Sequence, residues 1–525
     1  MENRQASLLH LPSTEDSSEA VGSAGDCAER ERRPRFQPID RAQLSWRSMN
    51  VERLIAEDHP ARAIWEFVGR LDLGGYTKHV RAVEGFAGRP SLNPQLLISL
   101  WIYSYSQGVG SARAIERLCE HDPAYQWLTG MEVVNAHSLS DFRVKHEQEL
   151  KKLFVQILGL LTAEGLITLE RVTQDGTKIR ACAGRESFRG KDRIEKALEA
   201  ARQQVKAVDK LSEEESSRRS EKALRRARWE RKERLELALQ QFDKTKEEGG
   251  VKDKKKPKAS MTDPEARIMK QPDGGYVPSY NVQMNTDAAN GLIVAVAATQ
   301  AVNDLNQLTS GIDRIEQNLG KAPKQVVADG GYVSRDNIVA MEFRQVDFIA
   351  PQCDEAGKGK SNYTVRGVSV EYQSSCFIYD ASENSFQCPQ GKALGYVAKY
   401  KRDSKVIYKY CAHKVDCENC VAKGQCCPGN KKSGRAIHRI EELPQVARFR
   451  QKMETEEARE IYRHRSQIAE TPNLWIKTKF KLRQFSVRGL SKVGMESMWV
   501  CLTYNICQWI RLCWRKQKAI AAAIA

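Results

Sequence analysis

Two aspartates each end a β-rich run and are each followed by glycine: Asp175 in VTQDGTKIRA and Asp329 in VVADGGYVS. Carboxylates projecting from neighbouring strands can hold Mg²⁺ (or Mn²⁺), a hard cation that takes carboxylate and water oxygens. A pair of such ions about 3.5–4 Å apart can activate a nucleophile and stabilise the leaving oxygen of a phosphodiester. That chemistry asks for a third acid, and the segment EEAREIYRHRSQIAETPNLWIKTKFKLRQF offers Glu470. At 100° per residue Tyr462, Arg465, Glu470 and Lys477 fall within an arc of roughly 140° on a helix, an acid flanked by phosphate-binding groups. Glu454, Glu456, Glu457 and Glu460 compete with it but precede the cationic cluster, and Pro472 interrupts the straight-helix arc. Each feature also has a plainer reading. Asp-Gly is a common hairpin turn, and the late segment reads equally as a solvated amphipathic helix with Tyr462 and Trp475 packed inside.

The elements that must position these residues are partly legible. Gln325 to Ala328 reads as a buried strand halted by the glycine pair, with Ser334 capping an amphipathic helix beyond it. ITLERVTQDGTKIRACA reads as two strands or one long bent one, and GYVPSYNVQMNTDAANGLIVAVAAT as a hairpin around Asp287 to Gly291. NDLNQLTSGIDRIEQNL is an amphipathic helix, giving the order strand, strand, strand, helix, strand, helix, strand, an α/β pattern. Upstream, residues 39–165 are helical throughout, with helix starts at Asn93-Pro94 and at Ser138 to Ser140, where Asp141 adds an acid to the first turn. Basic residues Arg81, Arg89, Arg113, Arg117, Arg143 and Lys145 are scattered through that region and suit phosphate contact or an ordinary solvated surface. Residues 1–38 are polar with few large apolar groups and read as a disordered tail. Two inserts interrupt the α/β region of 166–515. Residues 187–259 form a charged helical insert, a long exposed helix or helical hairpin ending in a flexible link of lysines between 252 and 258.

Residues 352–437 form a cysteine-rich β insert. Within it Cys388, Cys417, Cys420 and Cys426 have spacing that suits a structural Zn²⁺, which would stabilise a module with little core of its own. Cys411, His413 and Cys427 leave the ligand set open, and free surface thiols are the other reading. The whole chain has 525 residues, 84 Lys and Arg against 67 Asp and Glu, and a net charge of +17. That balance favours a polyanionic partner, nucleic acid before an anionic membrane surface. No apolar run approaches the ~18 residues of a membrane span and the N-terminus lacks a signal-peptide core, so an intracellular, soluble protein with reduced thiols is expected.

Taken together the motifs resemble the DDE transposases of bacterial insertion sequences. The resemblance covers about residues 40 to 515. It is carried by RPSLNPQLLISLWIYSYSQGVGSARAIERLC with SLSDFR, then DGTKIRA, TDPEAR with YNVQ, NDLNQL, VVADGGYVS, and the run Tyr462, Arg465, Glu470 and Lys477. It implies a ribonuclease-H-like mixed sheet with helices, preceded by an all-helical region that helps recognise terminal inverted repeats. It further implies that Asp175, Asp329 and Glu470 bind two Mg²⁺ ions and that Tyr462, Arg465 and Lys477 contact double-stranded DNA at the element's ends. Between Arg465 and Glu470 this chain has one residue more than the best-known relatives. The cysteine insert lies where this group carries insertions. Coupled action at two ends implies at least a homodimer on DNA, in the bacterial cytoplasm and at the nucleoid. A metal-dependent nuclease of the same fold without strand transfer, and an inactive DNA-binding regulator, are the rival readings; a membrane-surface protein has only the charge in its favour.

Overall fold

Residue 175 sits in a strand because Arg171–Arg180 (β1) is a run of β-branched and long side chains with no helix-period apolar stripe. It is one continuous strand, so the segment is neither doubled nor broken at Gly176. The structure, a computed structural model, describes residues 48–78, 80, 82, 90–209, 219–248, 257–351, 367–402, 405–428, 434–441 and 443–524. The expected tail, Arg81, Arg89 and the link lysines of 252–256 lie outside the described residues.

Ahead of β1 the chain is helical, its longer helices being Pro60–Gly69 (α1), Pro94–Ser106 (α2), Ala112–His121 (α3), Pro123–Thr129 (α4), Ala136–Lys145 (α5) and Glu147–Ala163 (α6). The α2 start matches the sequence signal, Asn93 accepting from the Gln95 N–H with Pro94 at the first helical position. The α5 start does not. Asn135 caps that helix by accepting from the His137 N–H, which leaves Ser138, Ser140 and Asp141 inside it.

Two helices follow β1, Lys191–Asp209 (α7) and Arg219–Glu248 (α8), and they pack on each other through Leu198, Ala201 and Leu235. The charged insert is therefore a helical hairpin with a small core of its own. Then come Arg267–Lys270 (β2), Tyr276–Asp287 (β3), Ile293–Thr299 (β4), Leu308–Leu319 (α9), Gln325–Ala328 (β5), Arg335–Phe343 (α10) and Asp347–Ile349 (β6). The strands join in the order β2-β3-β1-β5-β6, and β4 also pairs with β3. β3 runs antiparallel to β1 and to β4, while β5 runs parallel to β1 and β6 parallel to β5. The sheet is mixed, and the Asp-Gly at 329 is no hairpin: it leads from a parallel strand into a 3-10 turn, Gly330–Tyr332, and a helix. A parallel neighbour cannot be joined by a tight turn, so the chain must cross over.

The cysteine-rich segment builds a second sheet of Ile378–Asp380 (β7), Ser385–Gln387 (β8), Ala393–Arg402 (β9), Lys405–Ala412 (β10) and Ala436–Ile440 (β11), paired in chain order. Its core is Phe377, Phe386, Leu394, Tyr410, Ala412 and Ile437.

The late segment is not one straight helix. It comprises Pro444–Met453 (α11), Glu456–Arg463 (α12), Arg465–Leu474 (α13) and a π-helical turn over Trp475–Lys479. The break falls at His464, and Pro472 lies inside α13 rather than ending it. Tyr462 and Arg465 thus sit on different helices, and the single arc drawn through them does not form.

Leu490–Trp509 (α14) is apolar nearly all round and buried on nearly every side, as a helix inside a core must be. Its Asn505 side chain accepts from Ile293 N–H and donates to Ile293 O, both at 2.8 Å, taking over backbone groups at the start of β4. Residues of α1, α2 and α6 share one continuous apolar core with β1, β3, β4, β5 and α14. Among the described residues no helix is long and apolar enough to cross a membrane.

Candidate active site

Asp175 and Asp329 come together through strand register. Gln174 on β1 pairs with Ala328 on β5 in parallel, so the next residue on each chain, an aspartate in both, stands at the same level where β5 ends. Ligand sites gather at the carboxyl ends of parallel strands. Asp329 folds its carboxylate back onto the Gly331 N–H at 2.7 Å and so caps the 3-10 turn. A Cβ on residue 331 would lie 2.9 Å from that same carboxylate oxygen. Gly331 thus leaves room for the Asp329 carboxylate that caps the turn.

Helix α13 covers the face from which Asp175 projects. Arg465 Nη2 donates to Asp175 Oδ1 at 3.0 Å and Asn473 Nδ2 donates to Asp175 Oδ2 at 2.7 Å. The two donors lie eight residues apart, about 80° round a helix, and so present to one spot. The contact is largely dry, with Arg465 11% and Asp175 19% exposed. Burial pushes the Asp175 carboxyl up to about 6; Arg465 and the Gly176 N–H oppose that, and the negative charges of Asp329 and Asp304 reinforce it. Arg465 Nε and Asn473 Oδ1 are buried with no hydrogen-bond partner, so this docked face is not fully satisfied.

Lys477, on the π-turn, is close enough to feel Asp175: burial holds its ammonium below the usual lysine range while the Asp175 charge pulls it back up. Tyr462 is half-buried against the main core. Glu470 lies on α13 between Arg465 and Asn473 but is exposed. The structure therefore brings together Asp175, Asp329, Arg465 and Lys477. Among the described residues no three His, Cys, Asp or Glu side chains are gathered so as to hold a metal ion, and Glu470 does not complete such a group with the aspartates.

The same holds for the expected zinc ligands. Cys388, Cys417, Cys420 and Cys426, with Cys427, line one cavity beside Phe377 and Arg435. Their thiols act as small packing groups and hydrogen-bond acceptors: Lys392 N–H donates to Cys388 Sγ at 3.2 Å and Arg435 N–H to Cys417 Sγ at 3.3 Å. Burial pushes the Cys426 thiol up to about 11, Arg435 opposing and the neighbouring cysteines reinforcing. The cysteines whose spacing suggested a shared site do line one cavity, and among the described residues no three of them are gathered so as to hold a metal ion.

Two groups at the site were not singled out from the sequence, Asn473 and Asp304. Asn473 carries a signal in hindsight, its helical phase with Arg465. Asp304 lies in the quoted NDLNQL but is separated from both aspartates by whole elements, and only the fold shows how close it comes.

With this geometry in place, comparison with known proteins adds two matches. Residues 49–145 match the model of a transposase domain (DUF772), and residues 387–510 match that of the transposase DDE domain. The second match takes in Tyr462, Arg465, Glu470 and Lys477 together with most of the cysteine-bearing sheet, and stops short of Asp175 and Asp329. No curated protein and no solved structure matches the chain. The chain thus matches two transposase domain models, one before and one after the strands that bear Asp175 and Asp329, a pairing consistent with a DDE transposase of an insertion sequence.

Proposed function

We propose that this protein is a DNA transposase that cuts at the terminal inverted repeats of its element and joins the freed 3′-OH ends to target DNA. The observation that carries this reading is the juxtaposition of Asp175 and Asp329 where the parallel pairing of β1 with β5 ends, with Arg465 of the matched DDE region bonded to Asp175. Two hard-oxygen donors side by side, one of them with its proton affinity raised by burial and by its neighbour, form a donor set that a divalent cation relieves. Asp175 and Asp329 would hold Mg²⁺ or Mn²⁺, with Glu470 joining from the exposed face of α13. When bound, such ions supply Lewis-acid activation of water and charge for the leaving 3′ oxygen.

The chain's own residues do the rest. Arg465 neutralises Asp175 while the two are bonded and, on releasing it, is placed to grip the scissile phosphate, for which a planar guanidinium is well shaped. Lys477 gives a second positive charge on the same side. Tyr462 contributes from the neighbouring helix. The helical region matched as a transposase domain takes the recognition of the repeats, and the protein acts as at least a dimer on DNA in the bacterial cytoplasm and nucleoid.

The test uses a donor plasmid carrying the element's ends and an unrelated target plasmid, with Mg²⁺ or Mn²⁺. Joined donor–target products are expected from the wild type and none from Asp175→Asn. Nicked ends without joints would leave the nuclease reading in place of strand transfer, and binding without either would leave the regulator.

A further inference from the structure

Beneath the two aspartates, on the face of the sheet away from α13, lies a polar layer where a core is usually apolar. Along β3 the residues Asn281, Gln283 and Asn285 are all fully buried. Side chains at every second position share a face of a strand, so these amides form a row. Asp304, in the loop after β4, accepts from Asn281 Nδ2 at 2.7 Å and from Gln283 Nε2 at 2.6 Å, both on Oδ1. The other end of the Gln283 amide, Oε1, accepts from the Tyr332 hydroxyl at 2.6 Å. Burial, and then the charge of Asp304, hold that hydroxyl well above the usual tyrosine range, so it remains a donor.

Tyr332 closes the turn that Asp329 caps, its N–H donating to Asp329 O at 3.2 Å. The two loops are tied a second time by Asn337 Nδ2, which donates to Leu305 O and Tyr332 O, both at 2.7 Å. Gly176 belongs to the same arrangement. A Cβ there would lie 2.4 Å from Gln283 Nε2 and 2.5 Å from Asp304 Oδ1, so the glycine after Asp175 is what lets this layer close under the sheet.

We propose that Asp304 is a positioning residue of the active site, acting through Gln283 and Tyr332 on the turn that presents Asp329. A carboxylate only accepts. It therefore compels the Gln283 NH₂ group to face it, which turns the Gln283 carbonyl oxygen to the Tyr332 hydroxyl and anchors the turn. This inference rests on Asp329 being a working acid of the proposed reaction.

The test moves the charge along the chain of bonds. Asp304→Asn removes the carboxylate that fixes the Gln283 amide, leaving it the longer bonds to Asn281 Oδ1 at 3.2 Å and from Gln174 Nε2 at 3.4 Å, and Gln283→Glu sets a second carboxylate against Asp304. In the double variant the new amide at position 304 donates to the new carboxylate at position 283, the original bond in the reverse sense, and that carboxylate still accepts from the Tyr332 hydroxyl. Each single variant is expected to lose about tenfold or more in the end-cleavage rate with unchanged DNA affinity, and the double to recover to within about threefold of wild type, a coupling that a cycle of variants isolates. Wild-type cleavage in Asp304→Asn, or a double variant as slow as the product of the two singles, overturns the proposal. Tyr332→Phe removes only the hydroxyl and serves if a charged variant does not fold; the same loss in rate is expected, and none would overturn the proposal. A wild type that binds end DNA but fails to cleave it with either metal counts against the proposed function instead. The same cycle is then read as Mn²⁺ affinity, where rescue is again expected and additive loss overturns the positioning role, while no Mn²⁺ binding by the wild type counts against the proposed function.

Discussion

Asp175 is held in a position that costs the fold something when it is ionised. Its carboxyl is raised from 3.8 to about 6, so between those values the folded chain binds more protons than the unfolded one. The group's contribution to stability is therefore fully present below about pH 4 and is lost as pH rises through about 6. Asp175→Asn should raise Tm at pH 8 relative to wild type and leave it nearly unchanged at pH 4, as differential scanning calorimetry would show; a lower Tm at pH 8 would mean the Arg465 pairing outweighs the burial. An activity lost together with a stability gained is the pattern of a strained working group. At this scale the sequence was informative where chemistry and local backbone coincide: Asp329 stands where its strand ends at a glycine pair, whereas Asp175, also followed by glycine, lies in the middle of β1 rather than at the strand end its sequence suggests. It was mute where the partner arrives from far along the chain, as Asp304 and Asn473 do.

Whether those residues meet depends on how the elements are fastened. The helical region and the late helix are joined by a buried ion pair, Arg143 on α5 with Glu496 on α14 at 3.4 Å. Arg143 also donates to Gly110 O at 2.9 Å and lies over the Trp101 ring, and Glu496 accepts from the Ser486 hydroxyl at 2.7 Å. Removing one partner leaves a charge in a dry core. Glu496→Ala is expected to cost about 3–5 kcal/mol in urea unfolding, while Lys145→Ala, which breaks an exposed pair with Asp141, should cost no more than about 1 kcal/mol. Equal costs would show that the first pair does not fasten these helices. Arg143 was visible in the sequence only as one scattered basic residue, because a lone arginine at a helix position does not reveal whether its face is wet or buried. The hairpin β3–β4, the strand β5 and helix α9 were legible because their apolar periods are clean. The α12–α13 break was not, since no glycine or proline marks His464 and the signal of Pro472 pointed to the wrong place.

Over the whole molecule the dominant quantity is charge. With +17 net and a DNA partner, association should be driven largely by release of counterions. Binding of an end duplex is expected to weaken steeply and linearly on a log–log plot as salt rises from about 50 to 200 mM. Arg465→Ala and Lys477→Ala should each flatten that slope by about one unit; slopes identical to wild type would place both side chains off the DNA. The central claim, that Asp175 and Asp329 carry metal-dependent chemistry on the element's own ends, is tested most directly by one measurement. A labelled duplex bearing the DNA that flanks the reading frame is incubated with the protein and Mg²⁺ or Mn²⁺, and wild type is compared with Asp329→Asn. Nicking at the element end that requires the metal and disappears in Asp329→Asn, with DNA binding retained, is the predicted result; cleavage that persists in Asp329→Asn would contradict it.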